Sequence, residues 1–162
     1  MRKHTKRKIW DLINPIPHAA YQASKLTKAE WVTQITPVQT ALDQLLQGNW
    51  NRMDCWQPMF ECINRIESLT KLNRVDASEF VDKVQKVYVT ALDRQEKTGA
   101  KAFKADEIAV MREVVQVYGD LLSECTHKQF QDACKHTNAN TQRIVSQRAG
   151  KHTAHCYVES TV

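Results

Sequence analysis

Glycine and proline are scarce in this chain: four of each in 162 residues. An all-β fold of that length needs many more turn residues, so a sandwich or barrel is disfavoured. No apolar run approaches the roughly 18 residues of a membrane-spanning helix. The cationic start leads into "IWDLINPIPH", too short and too polar for the apolar stretch of an export signal. A cytoplasmic protein with no membrane partner is therefore expected. The five cysteines, Cys55, Cys62, Cys125, Cys134 and Cys156, are an odd number. In a chain without an export signal, that points to reduced thiols. Cys55 and Cys62 lie two helical turns apart and can share a buried face as small hydrophobes.

Reaction-bearing motifs are missing too. There is no phosphate-cradling glycine loop, no HExxH, no EF-hand loop and no nucleophile elbow. The paired Glu-x-x-His motifs of di-iron bundles are absent as well. So few glycines leave little material for a tight catalytic loop. The expectation is a protein with no catalytic residue and no cofactor.

The most site-like stretch is "CTHKQFQDACKH", where Cys125, His127, Cys134 and His136 repeat a Cys-x-His unit. His152, His155 and Cys156 follow. Zinc favours such ligands, but residues two apart on a helix point about 200° away from each other. The set does not converge, so no metal is expected. Cys134 should be buried, with His127 and His136 facing solvent.

What the sequence does contain is helical periodicity. Apolar residues amount to 42%, enough for one domain with its own core. A short helix is expected over residues 17–25, with Pro17 in its first turn. Thr27 with Glu30 forms a capping-box pattern, and Thr36 with Gln39 forms a second. One helix kinks at Pro37 or a new one begins there. Val38, Leu42, Leu45 and Leu46 make its apolar face, and Gly48 stops it. Asn51 caps the next helix, whose stripe is Met53, Trp56, Phe60, Ile63, Ile66 and Leu69, with a kink expected at Pro58. Asp76 and Glu79 should cap a third, carrying Phe80, Val84, Val87, Tyr88, Ala91 and Leu92, with Gly99 as its stop. Ile108, Met111, Val114, Val115, Tyr118, Leu121 and Leu122 mark a fourth. Thr126 with Gln129 opens a fifth, with a weaker stripe of Phe130, Cys134, Thr137, Ile144 and Val145. The fold class is all-α: a single-domain bundle of four to five amphipathic helices over residues 11–149. Residues 1–10 form a basic arm and residues 150–162 a loose tail.

Charge is distributed unevenly along this layout. Residues 1–8 carry five Lys or Arg and no acid; residues 9–124 carry 13 basic and 16 acidic side chains; residues 125–162 carry five and two. The basic excess sits at the two ends, not on the body. Arg2, Lys3, Lys6, Arg7 and Lys8 are candidate contacts for a polyanion, with Lys128, Lys135, Arg143, Arg148 and Lys151 assisting. All four tryptophans lie in the first 56 residues. Trp31 and Trp56 fall on apolar stripes and are expected in the core. Trp10 and Trp50 fall off them and are candidate partner contacts. The apolar surplus around Trp50, Trp56 and Phe60 also suggests a twofold homodimer.

"KHTKRK", followed by an aromatic and then "NPIPHA", resembles the start of a group of small proteins encoded in proteobacterial genomes and their phages or prophages. The likeness covers about twenty residues. It implies a bacterial or phage setting, and with it no nuclear import. It implies no activity and brings no functional residue with it. The expected function is a non-enzymatic phage or mobile-element protein that binds a protein or nucleoprotein complex of the host. Inhibition of host defence, as anti-CRISPR proteins perform, fits by analogy. The alternative is a nucleic-acid binder that uses the basic arm.

Overall fold

The computed structural model describes residues 15–149, and the side chains of residues 16–140. The arm at 1–10 and the tail at 150–162 lie outside the described residues. Among those described, six helices and one π-helical turn form an all-α bundle with no named strand. The helices are α1 (Pro15–Ala23), α2 (Lys28–Leu46), α3 (Gln57–Leu72), α4 (Ser78–Thr98), α5 (Ala105–Glu124) and α6 (His127–Ala149), with the π turn at Arg52–Trp56. The five long helices are those expected from periodicity, and α1 is the short sixth.

The chain enters α1 through Pro15 and Pro17, in the first turn, where a missing N–H costs nothing. Thr27 and Glu30 form the expected capping box at α2. The second box does not form. α2 runs unbroken through Pro37, and the Thr36 hydroxyl donates back to the Val32 carbonyl at 2.7 Å. Pro37 and Thr33 are both exposed, so the carbonyl that loses its helical donor lies on the solvated side. Gly48 follows the helix end as expected.

Asn51 does cap the next element, accepting the Met53 and Asp54 N–H groups at 2.9 and 3.1 Å. What it caps is the π turn. Trp56 N–H bonds to Asn51 O and Gln57 N–H to Arg52 O, each five residues back. Pro58 has no donor to contribute, so the chain changes to α-helical pairing there without losing a bond. The extra residue per turn buries Cys55 and Trp56 side by side and rotates Met53 outward to 64% exposure. Met53 is therefore not part of the core stripe.

At α4 the Asp76 carboxylate accepts the Ser78 N–H and hydroxyl at 3.0 and 2.6 Å. This is an Asx turn one residue early. The N-cap position is Ala77 with no side-chain bond, and the Asp76–Glu79 pairing is not made. α4 ends at Gly99, whose φ of 71° a side chain would strain.

α3 is the centre of the bundle and packs against α2, α4, α5 and α6. Met59, Ile63, Ile66 and Leu69 of α3 meet Ile35 and Leu45, Val84 and Tyr88, and Met111, Tyr118 and Leu122 in one core. Arg65 of α3 donates to the Tyr118 hydroxyl at 3.2 Å and to Gln34 at 3.4 Å, joining three helices by polar bonds. α2 lies close on α5 because position 119 is glycine: a Cβ there would sit 3.3 Å from the Trp31 ring, and the Trp31 indole donates to Gly119 O at 2.8 Å. Arg94 and Glu107 pair across the α4–α5 linker, with Arg94 also donating to Ala102 O.

An aromatic cluster fills one end: Trp50, Trp56, Phe60, Tyr88 and Phe103, with ring centroids 4.6–5.9 Å apart. The Trp56 indole N–H and the Tyr88 hydroxyl inside it have no hydrogen-bond partner among the described residues. A buried hydroxyl without a partner costs desolvation and returns nothing. Tyr88→Phe should therefore leave stability unchanged or raise it by up to about 1 kcal/mol in chemical denaturation; a loss of that size would reveal a hidden partner.

Candidate functional site

The site-like stretch around His127 is built as a joint. α5 ends at Cys125, and α6 opens with the expected Thr126–Gln129 capping box, Thr126 N–H to Gln129 at 2.9 Å and Gln129 N–H to the Thr126 hydroxyl at 3.2 Å. This places His127 in the first turn, facing the loop between α1 and α2. Its side chain is buried, at 4% exposure, so the expectation that it faces solvent is wrong.

Both ring nitrogens of His127 face acceptors. Nδ1 lies 2.9 Å from Ser24 O and 3.0 Å from the Ser24 hydroxyl, whose own proton goes to Tyr21 O at 2.7 Å. Nε2 lies 2.9 Å from the Glu30 carboxylate. A neutral imidazole has one N–H, whereas the doubly protonated ring can donate to both acceptors, and the Glu30 bond raises the His127 pKa in that direction. The Tyr21 ring stacks on the imidazole at 4.1 Å. The backbone adds His127 N–H to Ser24 O at 2.9 Å and an isolated antiparallel bridge between Lys25 and Thr126. Lys25 also pairs with Glu124 at 2.7 Å, and Gln22 donates to Gln131 at 3.1 Å. Bonds from 25 to 126 and from 22 to 131 run in opposite chain directions, so α1 lies antiparallel on α6.

The other members of the Cys/His set have separate partners. The Cys125 thiol donates to Leu122 O at 3.5 Å, Cys134 is half-buried near Arg65, and His136 is exposed with its Nδ1 3.0 Å from the Ser68 hydroxyl. Cys134 is thus less buried than expected. Burial pushes the Cys125 thiol up to about 11 and also raises Cys134. Neither is a ready thiolate. Among the described residues no three His, Cys, Asp or Glu side chains are grouped to hold a metal.

Trp50 is corrected as a partner contact. It is 6% exposed, its indole N–H donates to Leu45 O at 2.9 Å, and its ring meets Trp56 and Phe103. Its distance from the helical stripes hid this, because it sits in the loop that folds back under α2. Trp56 and Phe60 are buried in the same cluster, so the apolar surplus that suggested a dimer lies inside one chain. Arg2, Lys3, Lys6, Arg7, Lys8, Trp10 and Lys151 lie outside the described residues. Arg143 and Arg148 lie on α6, with side chains outside them.

The segments that carry α1 and α6, residues 1–24 and 125–162, hold ten Lys/Arg and three Asp/Glu, a net +7 in sequence. Residues 25–124, which carry α2 to α5, hold 13 and 15, a net −2. Among the described side chains, α1 carries no Lys or Arg, and α6 presents Lys128 and Lys135. No helix of the described residues is long and apolar enough to cross a membrane. No protein-family model, curated protein or solved structure matches this chain.

The joint should respond to pH. The Thr27 backbone N–H, then its hydroxyl and His127, hold Glu30 down at about 2. The Glu30 bond, against a burial cost, holds His127 up, helped by the Ser24 carbonyl. A raised histidine stabilises fully below its ordinary 6.5 and loses this as pH climbs through its folded value. A depressed glutamate stabilises above its ordinary 4.5 and loses this as pH falls toward about 2. The contribution is therefore complete between about 4.5 and 6.5. Thermal melts of wild type and His127→Gln should differ most in that window, and the gap should close at alkaline pH. A gap that widens with rising pH would contradict the assignment.

Proposed function

We propose that this chain is a non-enzymatic, helical interaction protein of phage or mobile-element origin. It engages a nucleic-acid-containing complex of the bacterial host through the layer formed by α1, α6 and the basic segments attached to them. The observation that carries this reading is the basic composition of the sequence segments that contain α1 and α6, +7 against −2 for the rest. A general field of this kind draws polyanions and speeds their association.

The absence of a catalytic role is supported by how the reactive side chains are used. Both ring nitrogens of His127 are engaged by Ser24 and Glu30 and its side chain is buried, which disfavours a role as general base. The thiols of Cys62 and Cys125 are buried and raised, which makes them poor nucleophiles. The resemblance of "KHTKRK" and "NPIPHA" to phage and prophage proteins supports the origin. Blocking a defence complex that carries nucleic acid, as anti-CRISPR proteins do, is a role that suits a small basic protein of this kind. Direct binding to nucleic acid outside any complex is the second reading, favoured by the same layer.

Fluorescence anisotropy with a labelled duplex of arbitrary sequence tests the shared requirement. Binding should weaken steeply between about 50 and 200 mM salt, as bound counterions are displaced. Deleting residues 2–8 should lower affinity most at low salt and reduce the log–log slope by about 0.9 for each cation that meets a phosphate. Helix content and melting midpoint should stay unchanged. No binding at low salt would defeat the reading.

A further inference from the structure

We infer that the cleft between α1 and α6 seats the phosphodiester backbone of a nucleic acid. The inference rests on the reading above and adds a defined seat to the basic arm. The cleft has a volume of about 530 Å³ and is lined by His18 and Gln22 of α1 and by Lys128, Gln131, Asp132 and Lys135 of α6.

Four features select the ligand. First, the lining offers the Lys128 and Lys135 cations and the Gln22 and Gln131 amides; its one ring is the His18 imidazole, and its aliphatic side chains are Ala19 and Ala23. Two cations without a Trp, Tyr, Phe or large aliphatic anchor favour a phosphate backbone, read without regard to sequence. Second, Lys128 and Lys135 are seven residues apart, two turns, about 10.5 Å along one face of α6. That spacing suits a strand with several phosphates, not one small anion. Third, the α6 N-terminus is already closed by the Thr126–Gln129 box, so its free amides are not the seat. Fourth, the antiparallel packing sets the first turn of α1 toward the second half of α6. A backbone seated along Lys128 and Lys135 therefore follows α6 toward the first turn of α1.

Asp132 is the sole acidic residue of the lining. It holds Lys128 at 2.9 Å, and that pairing keeps its own carboxyl below the usual range. A phosphate arriving in the cleft takes over Lys128 and meets the charge of Asp132. Asp132 thus weakens binding, and its removal strengthens it.

The test is anisotropy at about 50 mM salt with the full chain and three labelled probes of arbitrary sequence: duplex DNA, single-stranded DNA and single-stranded RNA. Lys128→Ala with Lys135→Ala should weaken the best probe at least tenfold and reduce the duplex salt slope by up to about 1.8. Asp132→Asn should tighten binding severalfold. Lys86→Ala with Lys97→Ala removes the same charge from α4 and should change affinity less than twofold. Equal losses from the two lysine pairs, or weaker binding by Asp132→Asn, would overturn the cleft as the seat while leaving the broader reading intact. A wild-type chain that binds none of the probes would overturn both.

Discussion

A single imidazole ties the two ends of this fold together. His127 is buried where α6 begins, and its ring nitrogens meet Ser24 of the α1–α2 connection and Glu30 in the first turn of α2. α1 has nine residues, too few to hold a helix in water without tertiary support. It packs on α6, and His127 is at the root of that contact. A protonated imidazole can donate at two points here and still lie flat against Tyr21. Lysine has no plane to stack, and a neutral amide cannot answer the Glu30 charge. Glu30 is shared between this joint and the N-terminus of α2, because one of its oxygens accepts from Thr27 and from His127 together. The start of one helix and the docking of another therefore depend on the same carboxylate.

The body of the bundle has no such dependence. α2 to α5 bury a continuous apolar core around α3, with polar links at Arg65 and at Arg94–Glu107 that join helices side by side. This division fits the proposed role. The weakly acidic body holds most of the buried core, and the proposed contact lies at the α1–α6 cleft, with Lys128 and Lys135 among its lining residues. Local stability is expected to be lowest at the layer that meets a partner, since binding surfaces are drawn from elements with fewer buried apolar contacts.

Much of this was legible in the sequence. The capping boxes at Thr27 and Thr126, the stop at Gly99 and the stripes of α3, α4 and α5 each follow from local chemistry, and all are present. The misreadings come from backbone geometry and partners that the apolar and capping patterns do not encode. Thr36 bonds backward to Val32 within a helix that tertiary packing carries through Pro37. Met53 lost its place on the stripe because the π turn shifts the register before Pro58. Trp50 looked unengaged since its acceptor, Leu45 O, and its neighbour Phe103 come from elements that periodicity does not connect. His127 was read as solvent-facing because its partners Ser24 and Glu30 are about a hundred residues earlier. The basic ends were visible as composition, but the packing of α1 on α6 was not.

Hydrogen exchange on α1 tests that contact most directly. A nine-residue helix gains lasting amide protection only when docked. Wild type near pH 6 should protect the amides of α1 together with those at the start of α6. His127→Ala should remove protection from α1 while leaving α3 and α5 as slow to exchange as before. α1 amides that stay equally protected in the variant would contradict the account, because α1 would then be held on α6 by something other than His127.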